Sequence, residues 1–118
     1  MNKEELRKKV IDSVLCGDFR NEENKLVLFN VKSDYEKRFL EINNIEEEIK
    51  KIEYIYNIEN IDFVISETTC ENLELGVVKL TTTLTIYFKS LKNFFISSQT
   101  NTITCFVDES YISCINIE

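Results

Sequence analysis

A chain of 118 residues with 43% hydrophobic and 30% charged residues has the composition of one globular domain, 1–118, and not of a disordered segment. The formal net charge is −7, and Arg7–Lys9 form the only basic triplet, which argues against direct nucleic-acid binding because gripping phosphates needs clustered Lys and Arg. No apolar run approaches the roughly 20 residues that cross a bilayer, so a membrane is not an expected partner.

The N-terminus, MNKEELRKKV, lacks the apolar core of a signal peptide, and the expected location is the cytoplasm. Alanine, proline, tryptophan and histidine are absent, while residues with AT-rich codons abound. This composition is typical of a low-GC bacterium, its phage or a mobile element.

The first predicted element is a helix over about 3–16. Asn2 and Glu5 have the spacing of a capping box, and Gly17 is expected to end the helix in a left-handed conformation. A polar loop over 18–25 and a short apolar strand over 26–31 follow. The apolar stripe of the helix comprises Leu6, Val10 and Val14.

A second helical pattern starts with another capping-box spacing, Ser33 and Glu36, and carries apolar residues at steps of three and four up to Ile52. Asn43 and Asn44 interrupt it, and Asn44 could cap a new helix. One helix and two helices in line therefore remain alternatives.

Beyond residue 53 the apolar period changes from 3.6 to 2. We expect a strand over 54–66, an acidic turn or loop over 67–75, a long strand over 75–89, a turn at 90–93, a strand over 94–107, a hairpin turn at 108–110 and a last strand over 111–117. Short connections favour antiparallel neighbours. The predicted fold is α+β, with two helices from the N-terminal half packed on one curved, mainly antiparallel sheet of about five strands.

The long strand carries an apolar row that is expected to lie beneath the helices, and Thr82 breaks that row. We weigh Thr82 as a pocket hydroxyl against a buried hydroxyl bonded to a neighbour. Two registers are open for the next strand: one places Thr82 opposite Gln99, and the other places it opposite Thr100. The row comprises Val78, Leu80, Leu84, Ile86 and Phe88.

The other side of this strand presents Thr81, Thr83, Thr85 and Tyr87. A threonine-rich sheet face with an aromatic residue at one end can be an interface for a dimer or a partner, or an ordinary solvated face. Glu67, Glu71 and Glu74 form a candidate acidic patch for a basic partner, with a solvated loop as the alternative.

The four cysteines show no C-x-x-C spacing, and without histidine no mixed zinc site can form, so we expect free thiols, no metal and no cofactor. A Cys105–Cys114 pair stays open, because it depends on the length of the last turn. Without histidine there is no Ser–His or Cys–His catalytic set, and we predict no catalytic residue.

The order of elements, with the closing run VKLTTTLTIYFKSLKNFFISSQTNTITCFVDESYISCINI, resembles the nuclear transport factor 2-like, or cystatin-related, α+β folds over about residues 26–118. Tyr111 stands where the final strand of that family often opens with an aromatic residue. The resemblance implies a curved sheet around a conical pocket, used by some members for isomerase, dehydratase or hydrolase chemistry and by many for binding or dimerisation. Histidine, one common pocket residue of active members, is missing here.

Three functions follow as expectations. The leading one is a non-enzymatic protein-binding or dimerisation module, possible as a homodimer, in the role of an accessory, immunity or inhibitor protein. The second is a small pocket enzyme of the isomerase or dehydratase type on the same fold. The third is an acidic protein similar to the chaperones of bacterial secretion, although those usually end in a helix and this chain ends on a predicted strand.

Overall fold

The structure, a computed structural model, describes residues 1–90 and 97–118 and has the predicted α+β composition. The helices are α1 (Lys3–Leu15), α2 (Glu36–Ile42) and α3 (Ile45–Ile55). The strands are β1 (Cys16–Arg20), β2 (Leu26–Val31), β3 (Ile61–Asn72), β4 (Val77–Phe88), β5 (Ser98–Asp108) and β6 (Ile112–Asn116). None of the helices in these described ranges is long and apolar enough to span a membrane.

The strands form two separate antiparallel sheets, in the orders β1-β2-β6 and β3-β4-β5. The prediction of one curved sheet of about five strands is therefore wrong. The cause lies at β1, which was expected to be a polar loop. Its Phe19 packs against Phe29 of β2, and β2 pairs with β1 and β6 in a sheet that contains none of the strands β3, β4 and β5.

The boundaries of β3 also differ from the prediction. Helix α3 continues to Ile55, and β3 starts only at Ile61 but runs through the segment 67–72 that was expected to be a loop. Glu67 and Glu71 point outward from β3, while Thr68 between them is buried. The polar residues on the outward side of this part of β3 give it a composition typical of a loop, which explains the wrong prediction.

The helix ends confirm one predicted cap and correct two others. The Asn2 side chain accepts a hydrogen bond from the Glu5 amide at 2.8 Å, as predicted. Gly17 does not end α1 in a left-handed conformation, because it lies within β1. No side chain caps α2, and Ser33 instead starts a short 3-10 turn. Asn44 takes the N-cap position of α3 with a φ of 54° but without a side-chain hydrogen bond, and the second helical pattern forms two helices, α2 and α3, instead of one.

The core lies between the helices and the inner side of β3-β4-β5. The predicted apolar row of β4 packs there, and Phe88 at its end is partly buried. The fully or almost fully buried members of this core include Leu6, Val10 and Val14 of α1, Ile45, Ile49 and Ile52 of α3, and Val78, Leu80, Leu84 and Ile86 of β4.

Both predicted registers after β4 are wrong, since Thr82 lies opposite Ile103. The strand that was expected from residue 94 starts at Ser98, so the connection is longer than either register assumed. The predicted turn at 90–93 and the first residues of that predicted strand fall largely on residues 91–96, outside the described residues.

The last predicted hairpin is also wrong, because β6 pairs with β2 and not with β5. Tyr111 redirects the chain: its ring stacks on Tyr35 with centroids 3.7 Å apart, and its carbonyl accepts a hydrogen bond from the Lys32 amide at 2.8 Å. Cys105 is fully buried in one sheet and Cys114 is exposed in the other, and both are free thiols.

Candidate protein-docking face

The outward side of β3-β4-β5 is a broad sheet surface that no other element of residues 1–90 and 97–118 covers, and we call it the threonine face. Because successive side chains of a strand point to opposite sides, every second residue of each strand contributes to it. Its members are Phe63, Ile65, Glu67, Thr69 and Glu71 of β3, Lys79, Thr81, Thr83, Thr85 and Tyr87 of β4, and Ser98, Thr100, Thr102, Thr104 and Phe106 of β5.

Threonines stand side by side across the strands of this face. Thr81 lies between Thr69 and Thr104, and Thr85 lies opposite Thr100. Such cross-strand threonine pairs stabilise a sheet through packing of their methyl groups and hydrogen bonding of their hydroxyls. The surface therefore offers alternating small apolar and hydroxyl groups on a regular lattice.

Aromatic and aliphatic side chains occupy the two ends of the threonine face. At one end Tyr87 stacks on Phe63, with ring centroids 4.6 Å apart and planes inclined by 17°, and Ile65 lies beside them, 53% exposed. At the other end Phe106 is 48% exposed. Exposed aromatic anchors at the margins of a polar centre are common features of protein interfaces.

The four residues predicted as an interface, Thr81, Thr83, Thr85 and Tyr87, lie together in the central strand of this face. Sequence reasoning missed the contributions of β3 and β5. The signal was present for β5, because Thr100, Thr102 and Thr104 repeat the alternation of β4. For β3 the signal was concealed, since its outward residues include two glutamates.

The three residues of the predicted acidic patch do not form a compact cluster. Glu67 and Glu71 belong to the threonine face four residues apart, which is about 13 Å along a strand, and Glu71 lies opposite Lys79. Glu74 follows β3 in the short turn Glu74–Gly76. Across residues 1–90 and 97–118, no three acidic, cysteine or histidine side chains are close enough to hold a metal ion.

Thr82 lies on the opposite side of β4 and is fully buried. Its hydroxyl is 2.8 Å from that of Thr68, which in turn donates to the Ser13 carbonyl. The Ser13 hydroxyl is 2.7 Å from that of Ser66. Thr82 thus belongs to a line of hydroxyl groups that joins β4, β3 and the end of α1.

A cleft of about 360 Å³ opens at the outer end of this hydroxyl line, between α1, β1 and β3. Ser13, Ser66 and Thr68 line it, whereas Thr82 lies behind Thr68 and is not among the lining residues. Serine and threonine hydroxyls need a neighbouring base to become nucleophiles. The hydroxyls of this line are bonded to one another and to backbone carbonyls, an arrangement that holds elements together.

A second cavity, of about 500 Å³, lies where the two sheets meet, and Cys70 and Cys114 are among its lining residues. Partial burial raises the pKa of both thiols, although the Cys114 side chain is largely exposed, and Cys114 raises the pKa of Cys70 further. A raised pKa keeps a thiol protonated at neutral pH, and the protonated form is a poor nucleophile and metal ligand.

Comparison of the chain with protein-family models, with curated proteins and with solved structures finds no match. The resemblance to the nuclear transport factor 2-like folds accordingly remains an interpretation of the sequence pattern. What the threonine face can do follows from its own residues.

Proposed function

We propose that the protein is a non-enzymatic binding module that docks to another protein through the threonine face. The observation that carries this proposal is the continuity of the face: three neighbouring strands of 11 or 12 residues present their outward side chains with no helix of the described residues over them. An uncovered face of this kind with aromatic residues at both ends is typical of an interaction surface.

The size of the face suits a transient complex. Strands of 11 residues at about 3.3 Å per residue, and three strands each about 4.8 Å wide, give a flat area on the order of 500 Å². A standard stable interface buries about 800 Å² on each partner. The expected partner therefore binds weakly, unless it also contacts an adjoining surface.

The pKa shifts of one carboxyl and of three thiols run against acid–base or nucleophilic catalysis by these groups. Asp108 accepts a hydrogen bond from the Ser110 amide, and the pKa of this carboxyl is lowered by its bonds to Ser110, the opposite of what a general acid at neutral pH requires. The shifted thiols are displaced towards their protonated forms.

The proposal is tested by placing a charge at the centre of the face. Thr83→Lys puts a long cation between Glu67 and Thr102, whereas the control, Asn30→Lys, puts the same cation on the exposed side of the other sheet. Wild-type and variant proteins, each shown to unfold at the same urea concentration, are used as baits in extracts of the native host. We expect Thr83→Lys alone to lose the specific partners.

Identical sets of captured proteins for Thr83→Lys and wild type would refute docking through this face. Loss of the same partners from Asn30→Lys would refute it as well, because the effect would then follow the added charge and not the surface.

A further inference from the structure

The free edge of β5 has a defined pattern of backbone groups. The Phe88 amide donates to the Ser97 carbonyl at 3.0 Å, so odd-numbered residues of this segment bond to β4. Backbone groups alternate in direction along an antiparallel strand. The amides and carbonyls of Ser98, Thr100, Thr102, Thr104 and Phe106 therefore point away from the sheet.

The side chain of Asn43 bonds to the last of these residues, Phe106. Its Oδ1 accepts a hydrogen bond from the Phe106 amide at 2.9 Å, and its Nδ2 donates to the Phe106 carbonyl at 3.2 Å. The side-chain amide of Asn43 thus takes the place of a neighbouring strand at one residue. Pairing of β5 with any other strand must stop before Phe106.

The two edges of the β3-β4-β5 sheet are protected differently. Strand β1 lies against the β3 edge so closely that a Cβ on Gly17 would be 2.1 Å from the Thr68 carbonyl oxygen. On β5, the outward backbone groups from Ser98 to Thr104 bond to no other residue of the described ranges.

The exposed β5 edge is also uncharged. Proteins usually protect such edges with charged residues, yet residues 97–107 contain none in a chain of net charge −7. The first charge is Asp108, beyond the position that Asn43 occupies. Two copies of this strand can therefore approach each other without the repulsion that their acidic surfaces would otherwise cause.

We propose that β5 pairs with β5 of a second copy of this chain, antiparallel and about a twofold axis at Asn101. The span from Ser98 to Thr104 is centred on Asn101. In this register alone, the edge-facing amides and carbonyls of all four residues, Ser98, Thr100, Thr102 and Thr104, find partners in both copies. Ser98 then lies opposite the partner's Thr104, and Thr100 lies opposite the partner's Thr102. Pairs of this kind give on the order of eight backbone hydrogen bonds.

The dimer joins the two β3-β4-β5 sheets into one sheet of six strands and makes their threonine faces continuous. The dimer contact is made by backbone groups at the edge of β5, and the side chains of the threonine face stay available to another protein. Its failure is therefore distinguishable from failure of the proposed docking: Thr83→Lys is expected to dimerise normally.

The test is the molar mass in solution over a concentration series up to about 1 mM. We expect the mass to rise from 13.9 kDa towards twice that value. Thr102→Pro removes one outward amide that β4 does not use, and it is expected to remain a monomer throughout. The matched control, Thr102→Val, keeps the amide and the β-branched shape and is expected to dimerise like wild type.

Wild type that stays monomeric at about 1 mM would refute the proposal, since it excludes any tighter dissociation constant. Dimerisation of Thr102→Pro at wild-type concentrations would refute this interface.

Hydrogen exchange of the wild-type amides tests the register without any substitution. The Thr100 and Thr102 amides are expected to become protected as the concentration rises, whereas the Ile103 amide, which faces β4, is expected to be protected at every concentration. Rapid exchange of Thr100 and Thr102 at concentrations where a dimer is present would refute edge pairing through β5.

Discussion

Replacing the two buried threonine hydroxyls singly and together should give strongly non-additive losses of stability. Thr68 and Thr82 are 4% and 0% exposed, and their hydroxyl oxygens are 2.8 Å apart. Thr68 has one hydroxyl proton and donates it to the Ser13 carbonyl, so Thr82 must be the donor in the bond between the two threonines. Each substitution by valine keeps the shape of the side chain and removes one hydroxyl.

The three variants then differ in the polar groups they leave without a partner. Thr68→Val leaves both the Thr82 hydroxyl and the Ser13 carbonyl unpaired, and we expect it to cost about 3 kcal/mol. In Thr82→Val the Thr68 hydroxyl no longer accepts a hydrogen bond, but it still donates one to the Ser13 carbonyl. We expect this variant to cost about 1 kcal/mol. The double variant has a single unpaired group, the Ser13 carbonyl, and should cost about 2 kcal/mol.

The measurement is the free energy of unfolding in urea for wild type, both single variants and the double variant. The expected loss for the double variant is smaller than the sum of the single losses by about 2 kcal/mol, well above the roughly 0.5 kcal/mol typical of independent sites. Losses that add within that margin would refute the donor assignment and the isolation of this pair from water.

Two further predictions concern the glycine at the contact between the sheets and the buried thiol. Gly17→Ala should lower the free energy of unfolding by about 3 kcal/mol, because the added Cβ would lie 2.1 Å from the Thr68 carbonyl oxygen. Gly76→Ala should lower it by only about 1 kcal/mol, because the added Cβ has space and only the φ of 73° is unfavourable for alanine. Equal urea midpoints for the two variants would contradict this prediction. Burial raises the pKa of Cys105 from 9.0 to about 12, so between these values the unfolded chain has lost a proton that the folded chain keeps, and stability falls as pH rises above 9. Unfolding measured from pH 8 to pH 10.5 should show a shallower decline for Cys105→Val than for wild type, and parallel declines would contradict the assignment.

The parts of the fold that sequence reasoning found are those where the apolar period matches the burial. The apolar residues of α1 and α3 recur at steps of three or four and those of β4 at steps of two, and apart from Phe88 all three rows are buried as expected. The two-helix alternative rested on Asn44 as a cap; Asn44 does take the N-cap position of α3, but with a φ of 54° and without a side-chain hydrogen bond.

The parts that it missed depend on contacts between distant residues. Strand β1 has a single large apolar residue, Phe19, and its place is determined by Phe29 on another strand and by the close approach of Gly17 to β3. The pairing of β6 with β2 is accompanied by the stacking of Tyr111 on Tyr35, a contact that no local pattern indicates. For this reason the register of the strands, and the sheet to which each strand belongs, could not be predicted from the sequence.

For the candidate site, the sequence located the central strand but not its neighbours. Thr81, Thr83, Thr85 and Tyr87 were recognisable from simple alternation within one strand. The stacking partner of Tyr87, Phe63, belongs to a strand whose limits were predicted wrongly. An interface spread over three strands appears only when their registers are known.

The pairing of β2 with β6 has a consequence for how the chain reaches its folded state. Val31 and Ile112 are partners although about eighty residues separate them, so this ladder closes a very large loop. During synthesis on the ribosome, the apolar strand β2 emerges early and remains without its second neighbour, β6, until the chain is almost complete. We therefore expect the β1-β2-β6 sheet to mature late, after the local β3-β4 ribbon, and the nascent chain to be most vulnerable to misassociation at β2.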